Sequence, residues 1–357
     1  MTPMRVGLVG CGVIAHNYVE GAAGFPTFDI VQVADLEPAV AEAFGEKHGL
    51  PVSPVDELIA SPDIDIVLNL TPPAAHAALV AATLCAGKHA YTEKPLAISL
   101  DAGRELVRQA HESGLRIGSA PDTFLGGAYE TARRLIAEGA IGTPVGAMAV
   151  FMTGGPEGWH PNADFFYRAG AGPMLDIGPY YLTAMVALLG PITATAGFSS
   201  VPTTEREIAV GPRAGERFGT EVPTHVSTAL QFASGALGTF TVGFETQNRY
   251  ESGLVVHGTQ ASLQLPDANG FGGDVLIRRE RGDWEPVEYE LAGAMETRGI
   301  GLHDMVTSLR AGRPHRASGE LALHVLEAMH AILQSADEGR TIELAPLQPQ
   351  VEAPVSG

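Results

Sequence analysis

Cysteine is scarce: Cys11 and Cys85 are the only two in 357 residues. Two isolated thiols make no disulfide framework and lack metal-ligand spacing, so a reducing cytoplasm is the expected location. Basic residues are also few, 22 Lys+Arg against 41 Asp+Glu, for a formal charge of −19. That balance argues against a nucleic-acid phosphate footprint or an anionic membrane surface. No apolar run reaches the roughly 18 residues that a membrane span needs. Met1–Arg5 leads into a strand-like run without a basic stretch followed by an apolar one, so export is not expected. No His/Asp/Glu cluster has convincing metal spacing, and His303 and His324 fall in helical patterns, so no catalytic metal is predicted. Aromatics are only 6% of the chain, and no repeat of 20–50 residues is visible.

Apolar residues are plentiful at 45%, which excludes a disordered scaffold, and the length suits two domains. The 43 glycines and 25 prolines are about 19% of the chain against the roughly 12% of average usage, so tight turns and close backbone approaches are expected. Over residues 1–121, short apolar runs (Met4–Val9, Phe28–Ala34, Ile64–Leu70, His89–Thr92, Leu115–Gly118) alternate with amphipathic segments. Such alternation predicts an α/β domain with a doubly wound parallel sheet. Residues 122–345 read differently. Helices are expected at Gly127–Glu138, Gly178–Leu189, Gly301–Arg310 and Gly319–Gly339. Short alternating strands split by turn residues are expected from Gly190 to Val287. This pattern predicts an α+β domain with a large, mostly antiparallel open sheet. Residues 346–357, with three prolines and no periodicity, read as a flexible tail or surface strap.

The strongest local signal is Gly10-Cys11-Gly12-Val13-Ile14-Ala15, between a strand and a helix start. Gly10 permits the tight turn and Gly12 lets the backbone approach a pyrophosphate. Small Ala15 allows close packing, while the helix N-terminus at Val13 and Ile14 faces the anion. Asp35 ends the second strand, where a carboxylate hydrogen-bonds a ribose and repels a 2′-phosphate. Leu36 follows and no Arg adjoins, so NAD is favoured over NADP; the alternative for Asp35 is an exposed turn carboxylate.

Thr71-Pro72-Pro73, with His76 beyond, follows the third strand, where loops line a cofactor crevice. Alternatively the prolines merely start a helix and His76 is solvated. Glu93-Lys94-Pro95 follows the fourth strand and faces the same crevice, so Glu93 and Lys94 are candidate cofactor contacts; the lysine is either a holder of a substrate oxygen or a surface residue in a turn.

In this order the motifs resemble the Gfo/Idh/MocA oxidoreductases from about Met4 to Leu344, with Glu93-Lys94-Pro95 the most specific. The resemblance implies a Rossmann domain and a sheet domain whose open face builds homodimers or homotetramers. It further implies sugar, cyclitol or polyol substrates, and often a cis bond before Pro95. The family's second motif matches Gly170–Tyr180, making Asp176 and Tyr180 catalytic candidates. Their spacing of four puts them on one face at a helix start, where Pro179 is tolerated; an N-cap and a core ring are the bland alternatives. Tyr180 stands where many relatives carry His, and a phenol is a poor base at neutral pH unless a cation such as Lys94 assists it.

Trp159-His160-Pro161-Asn162, with Asp164, Tyr167 and Arg168, offers a polar and aromatic loop suited to a sugar, or else a solvated loop anchored by one Trp. His160 is a candidate substrate ligand or auxiliary acid/base. Asp122 is a candidate acceptor for a substrate hydroxyl. Arg168, Arg213 and Arg217 could serve an anionic substituent. The reading that follows is an NAD-dependent dehydrogenase acting on a carbohydrate or polyol hydroxyl through Lys94, Asp176 and Tyr180. The alternative is a glycosidase that oxidises transiently, eliminates and re-reduces with no net redox change. A non-catalytic NAD sensor would be expected to lack Lys94 or Tyr180.

Overall fold

The computed structural model describes residues 2–246, 251–289 and 297–347. The chain forms two compact units, one from Met1–Gly126 and Leu291–Leu326, the other from Gly127–Glu290 and Glu327–Pro346.

The first unit opens with β1 (Met4–Val9), α1 (Val13–Ala22), β2 (Phe28–Ala34), α2 (Pro38–His48), α3 (Val55–Ala60) and β3 (Ile66–Asn69). It continues with α4 (Pro73–Cys85), β4 (His89–Thr92), α5 (Leu100–Ser113) and β5 (Ile117–Ser119). Its strands form a five-stranded sheet in the order β2-β1-β3-β4-β5, and every pairing is parallel. Central strands of a parallel sheet lie under helices on both faces, which is why β3 is buried along its whole length. Val80, Leu84, Leu106, Val107 and Ile117 form the core beneath α4 and α5. The sheet therefore points the carboxyl ends of β1, β3 and β4 toward one edge, where the motif residues follow each strand.

The second unit begins with α6 (Gly127–Ala137), β6 (Pro144–Met152), α7 (Pro173–Leu189), β7 (Ile192–Ser200), β8 (Glu205–Glu207) and β9 (Arg217–Gly219). Then come β10 (His225–Phe232), β11 (Leu237–Gly243), β12 (Glu251–Gly258), β13 (Ala261–Leu265), β14 (Leu276–Arg279) and β15 (Glu285–Pro286). The remaining elements are α8 (Ile300–Arg310), α9 (Gly319–Glu338) and β16 (Ile342–Glu343). The nine-stranded sheet has the order β15-β14-β13-β12-β6-β11-β10-β7-β16. Its pairings are antiparallel except β11 with β6. Alternation along β10 leaves Val226, Thr228 and Leu230 buried and the residues between them exposed. One face is covered by α7; the other is open.

The chain departs from a simple division at Pro121. Residues 297–326 belong with the first unit because α8 packs on β5, Ser318 bridges to Gly118, and Ala322 and Leu323 join the core beneath α4. Helix α7 starts at Pro173, five residues before the expected Gly178. Pro179 therefore lies inside the helix, not in its first turn, and the Leu175 carbonyl loses its usual helical donor. The tail reading falls almost wholly on residues outside the described ones.

Candidate active site

At the end of β1, Gly10 has φ 99°. A Cβ there would lie 2.7 Å from the Leu70 carbonyl carbon and the Thr71 nitrogen, so only glycine fits. Gly12 caps α1 without any side-chain cap, and a Cβ on it would meet nothing within 4 Å. The first amides of α1 thus stand open beside free space, with Val13 exposed and Ile14 half-buried. Ala15 is fully buried, as close packing of this helix requires. Asp35 is not a loose turn carboxylate: its Oδ2 accepts the Cys11 amide at 2.7 Å and its Oδ1 the Glu37 amide at 3.0 Å. Burial, with the Asp35 charge added, pushes the Cys11 thiol up to about 12, so it stays neutral. Leu36 beside it is 87% exposed. An open helix N-terminus, a cradle without a side chain and an oriented carboxylate fit a dinucleotide's pyrophosphate and ribose.

The next two motifs are cross-braced. Asn69 Oδ1 accepts the Thr71 amide at 3.2 Å and the Thr71 hydroxyl at 2.6 Å. His76 reaches the Pro95 carbonyl through Nδ1 (2.7 Å) and the Thr71 carbonyl through Nε2 (2.8 Å), and is fully buried. The expectation of His76 as a cofactor ligand is corrected here: it ties two loops together from beneath. Pro72 caps α4 and is exposed. Glu93 is also turned to the protein, its Oε1 accepting from the Tyr18 hydroxyl and its Oε2 from the Lys94 amide, both at 3.0 Å. Lys94 itself is half-buried, and its bond to Pro95 is cis.

Asp122 is corrected as well. It is fully buried, pairing with Arg298 at 3.2 Å through Oδ1 and accepting the Gly301 amide at 3.1 Å through Oδ2. Burial pushes its carboxyl up, while Arg298 and the Gly301 amide pull it down. No face is left for a substrate hydroxyl. Tyr18, Asn69 and Arg298 are contributors that residue patterns missed. Asn69 alone left a signal, as a polar residue ending an apolar strand.

In the second unit, Gly172 (φ 93°) is the N-cap of α7, and Asp176 lies in its first turn. The N-cap alternative for Asp176 is thereby removed. Of the seventeen residues of α7 only Asp176 and Ala187 are not buried. Tyr180 lies one turn on, at 6% exposure. The preceding loop carries an aromatic group: Trp159, 67% exposed, meets His160 edge-on at 5.5 Å, and His160 meets Phe165 and Phe166 at 5.3 and 5.4 Å. His160 Nδ1 accepts the Asn162 amide at 3.1 Å, leaving Nε2 to carry the proton of a neutral ring.

Tyr167, read above as part of the polar surface, is instead fully buried. Its hydroxyl donates to Glu157, and Arg206 lies 4.6 Å from its ring. Burial and the Glu157 charge push its phenol well up. Arg206 bonds Glu157 at 2.6 Å, Glu245 at 2.5 Å and the Phe244 carbonyl at 3.0 Å, so one buried guanidinium anchors the loop. Arg168 and Arg213 both pair with Asp164, at 2.9 and 2.8 Å, and Arg217 pairs with Glu205 and Glu207. All three guanidiniums considered for an anionic substituent are met by carboxylates. Among the described residues no group of three or more His, Cys, Asp or Glu could hold a metal ion.

The fold and the dinucleotide cradle define a Rossmann-type, dinucleotide-binding protein. Residues 4–120 match the oxidoreductase family with an NAD-binding Rossmann fold, and residues 129–264 match the GFO/IDH/MocA C-terminal domain. The chain is 30% identical over 353 residues to 1,5-anhydro-D-fructose reductase of Ensifer adhaerens, covering 95% of this chain and 98% of that one. It is 26% identical to inositol 2-dehydrogenase of Rhizobium meliloti (strain 1021), covering 96% and 99%. In fold it is similar to levoglucosan dehydrogenase in complex with NADH and L-sorbose, with TM-score 0.85, 21% identity, and 96% and 99% covered. The chain belongs to the GFO/IDH/MocA oxidoreductase family.

Proposed function

We propose that this protein is an NAD-dependent dehydrogenase for a neutral sugar, glycoside or cyclitol, moving hydride between a ring CH–OH and the cofactor. The observation that carries the reading is the edge of the parallel sheet. There the uncapped N-terminus of α1, the doubly held Asp35 and Lys94 follow β1, β2 and β4, three parallel strands of one sheet. Relatives named for an anhydro sugar and for inositol support the substrate class. Pairing of Arg168, Arg213 and Arg217 with carboxylates favours a neutral substrate.

Gly10, Gly12 and the first amides of α1, at Val13 and Ile14, would hold the pyrophosphate, and Asp35 the adenosine ribose. Thr71 and Pro72 would line the same crevice. The Asp35 charge, with Leu36 and no cation beside it, disfavours a 2′-phosphate, so NAD is preferred over NADP. Bound NAD supplies the hydride acceptor. Lys94 donates a hydrogen bond to the reacting oxygen and stabilises the alkoxide character it develops. Tyr180, acting as its phenolate, takes the hydroxyl proton and becomes the phenol, and Asp176 orients the polar groups of the substrate. Trp159 offers a ring for the sugar's apolar face, and His160 Nε2 a donor for a hydroxyl.

The open face of the large sheet fits a homodimer or homotetramer. Register puts Met148, Leu237, Ala229 and Phe198 on that one face, and Phe198 is 80% and Met148 60% exposed.

The test is incubation of the protein and NAD with a panel of neutral sugars and cyclitols, following NADH. Substrate-dependent NADH formation is expected. Nitrophenol release from nitrophenyl glycosides with only catalytic NAD, and no NADH accumulation, would instead establish the redox-neutral glycosidase. Silence in both assays from protein that binds NAD would reject the enzymatic reading.

A further inference from the structure

Buried beneath the Glu93-Lys94-Pro95 turn is a chain of polar contacts that the proposed chemistry does not use. Tyr18 is the fully buried aromatic residue of α1, and its hydroxyl donates to Glu93 Oε1 at 3.0 Å. The other oxygen of that carboxylate accepts the Lys94 amide at 3.0 Å, and the Glu93 amide donates to the Asn69 carbonyl at 2.9 Å. Burial first, then the charges of Glu93 and Asp122, holds the Tyr18 phenol well above its ordinary value, so it remains a donor. A hydrogen bond to a buried carboxylate is among the stronger ones, and leaving such an oxygen without a partner is costly.

We infer that Tyr18 is a positioning residue for Lys94: the helix whose N-terminus faces the dinucleotide also holds the Glu93 carboxylate inward, and Glu93 holds the Lys94 amide. The direction in which Lys94 leaves β4 is thus set by the same element that sets the cofactor's phosphates. Without the Tyr18 hydroxyl, Glu93 becomes a partly released negative charge one residue from the Lys94 ammonium. Moving toward it, the carboxylate keeps more of the amine protonated and draws it from the substrate side. This inference rests on the reading of Lys94 as the residue that holds the substrate oxygen.

The test exploits a composition peculiarity: the chain contains three lysines, Lys47, Lys88 and Lys94. Lys88 is pinned to the Ser61 and Ile64 carbonyls at 2.6 and 2.7 Å, and Lys47 is an exposed residue in the last turn of α2. Both serve as internal references for labelling by an amine-reactive anhydride, quantified by peptide mass spectrometry. In Tyr18→Phe, Lys94 labelling should slow by about threefold or more while Lys47 and Lys88 stay within about 1.5-fold, as expected for a local charge effect. NADH binding, read by fluorescence titration, should stay within about twofold because the phosphate end is untouched. With a substrate in hand, kcat should fall about tenfold and KM change less than about twofold, the signature of misaligned chemistry.

Glu93→Gln provides the second arm, and the double variant closes a cycle. If Tyr18 acts through the Glu93 charge, Glu93→Gln does not slow Lys94 labelling, and the double variant labels Lys94 at the rate of Glu93→Gln alone. Unchanged Lys94 labelling in a folded Tyr18→Phe protein, or additive effects in the cycle, overturns the inference. Labelling and NADH binding need no turnover. A changed Lys94 without any substrate oxidation by the wild type would refute the dehydrogenase reading and leave Tyr18's role standing.

Discussion

Lys94 carries the most weight of any single position in the proposed chemistry. Lys94→Met keeps the stem but removes the cation, and should lower kcat by about 10²–10³-fold, the usual cost of losing one donor to a developing oxyanion. NADH affinity should change little, since Asp35 and the α1 amides are untouched; steady-state kinetics beside a fluorescence titration checks both. Other positions show how similar polar letters take opposite roles. His76, Glu93 and Asp122 all read as ligand contacts, yet each is buried with its polar atoms engaged by the protein. Arg298 meets Asp122 across 176 residues of sequence, a separation no local pattern spans. Gly10 and Asp35 were legible because their roles follow from a positive φ and from the position ending a strand, both local properties.

Among the elements, the loop before α7 depends on a charge held out of water. Arg206 lies between Glu157 and Glu245, and its removal would leave two nearly buried carboxylates without their cation. Arg206→Met should therefore destabilise the second unit by about 3–5 kcal/mol. Differential scanning calorimetry would show it, and a change below about 1 kcal/mol would contradict the anchoring role. Buried histidines also store a pH response. Burial lowers His89, at the start of β4, to about 4, with the Arg116 charge adding to the effect. Burial likewise lowers His315 and His324 to about 4. Their ordinary value is 6.5, so between pH 6.5 and 4 the unfolded chain takes up more protons than the folded one. This part of the stability is complete above pH 6.5 and is lost as pH falls through that window. Melting temperature should drop accordingly in thermal scans; a flat profile across it would show that these imidazoles are not held neutral. Helix α7 was visible from its apolar run but was started too late. Its first residues, Pro173 to Ile177, follow glycines that read equally well as loop.

For the whole molecule, the open sheet face predicts association. Phe198→Glu with Met148→Glu puts charges in place of two exposed apolar side chains of that face, and light scattering should then report a lower mass than for the unaltered protein. A wild type that is monomeric at micromolar concentration would remove the proposal. Two units, a parallel sheet and a mostly antiparallel one were readable from hydrophobic periodicity, because alternation of buried and exposed residues is written along each strand.

The G-x-G-x-x-A turn, Asp35, the Glu93-Lys94-Pro95 turn and the Gly170–Tyr180 segment were enough to place the chain in its family. Each is a short stretch whose chemistry follows from neighbours in sequence. Folding over long separations settled which polar groups are buried and engaged by the protein itself, and it returned residues 297–326 to the first unit. The reason is physical: burial is a property of what packs on a residue, and the partners of Asp122 and Tyr18 lie far along the chain.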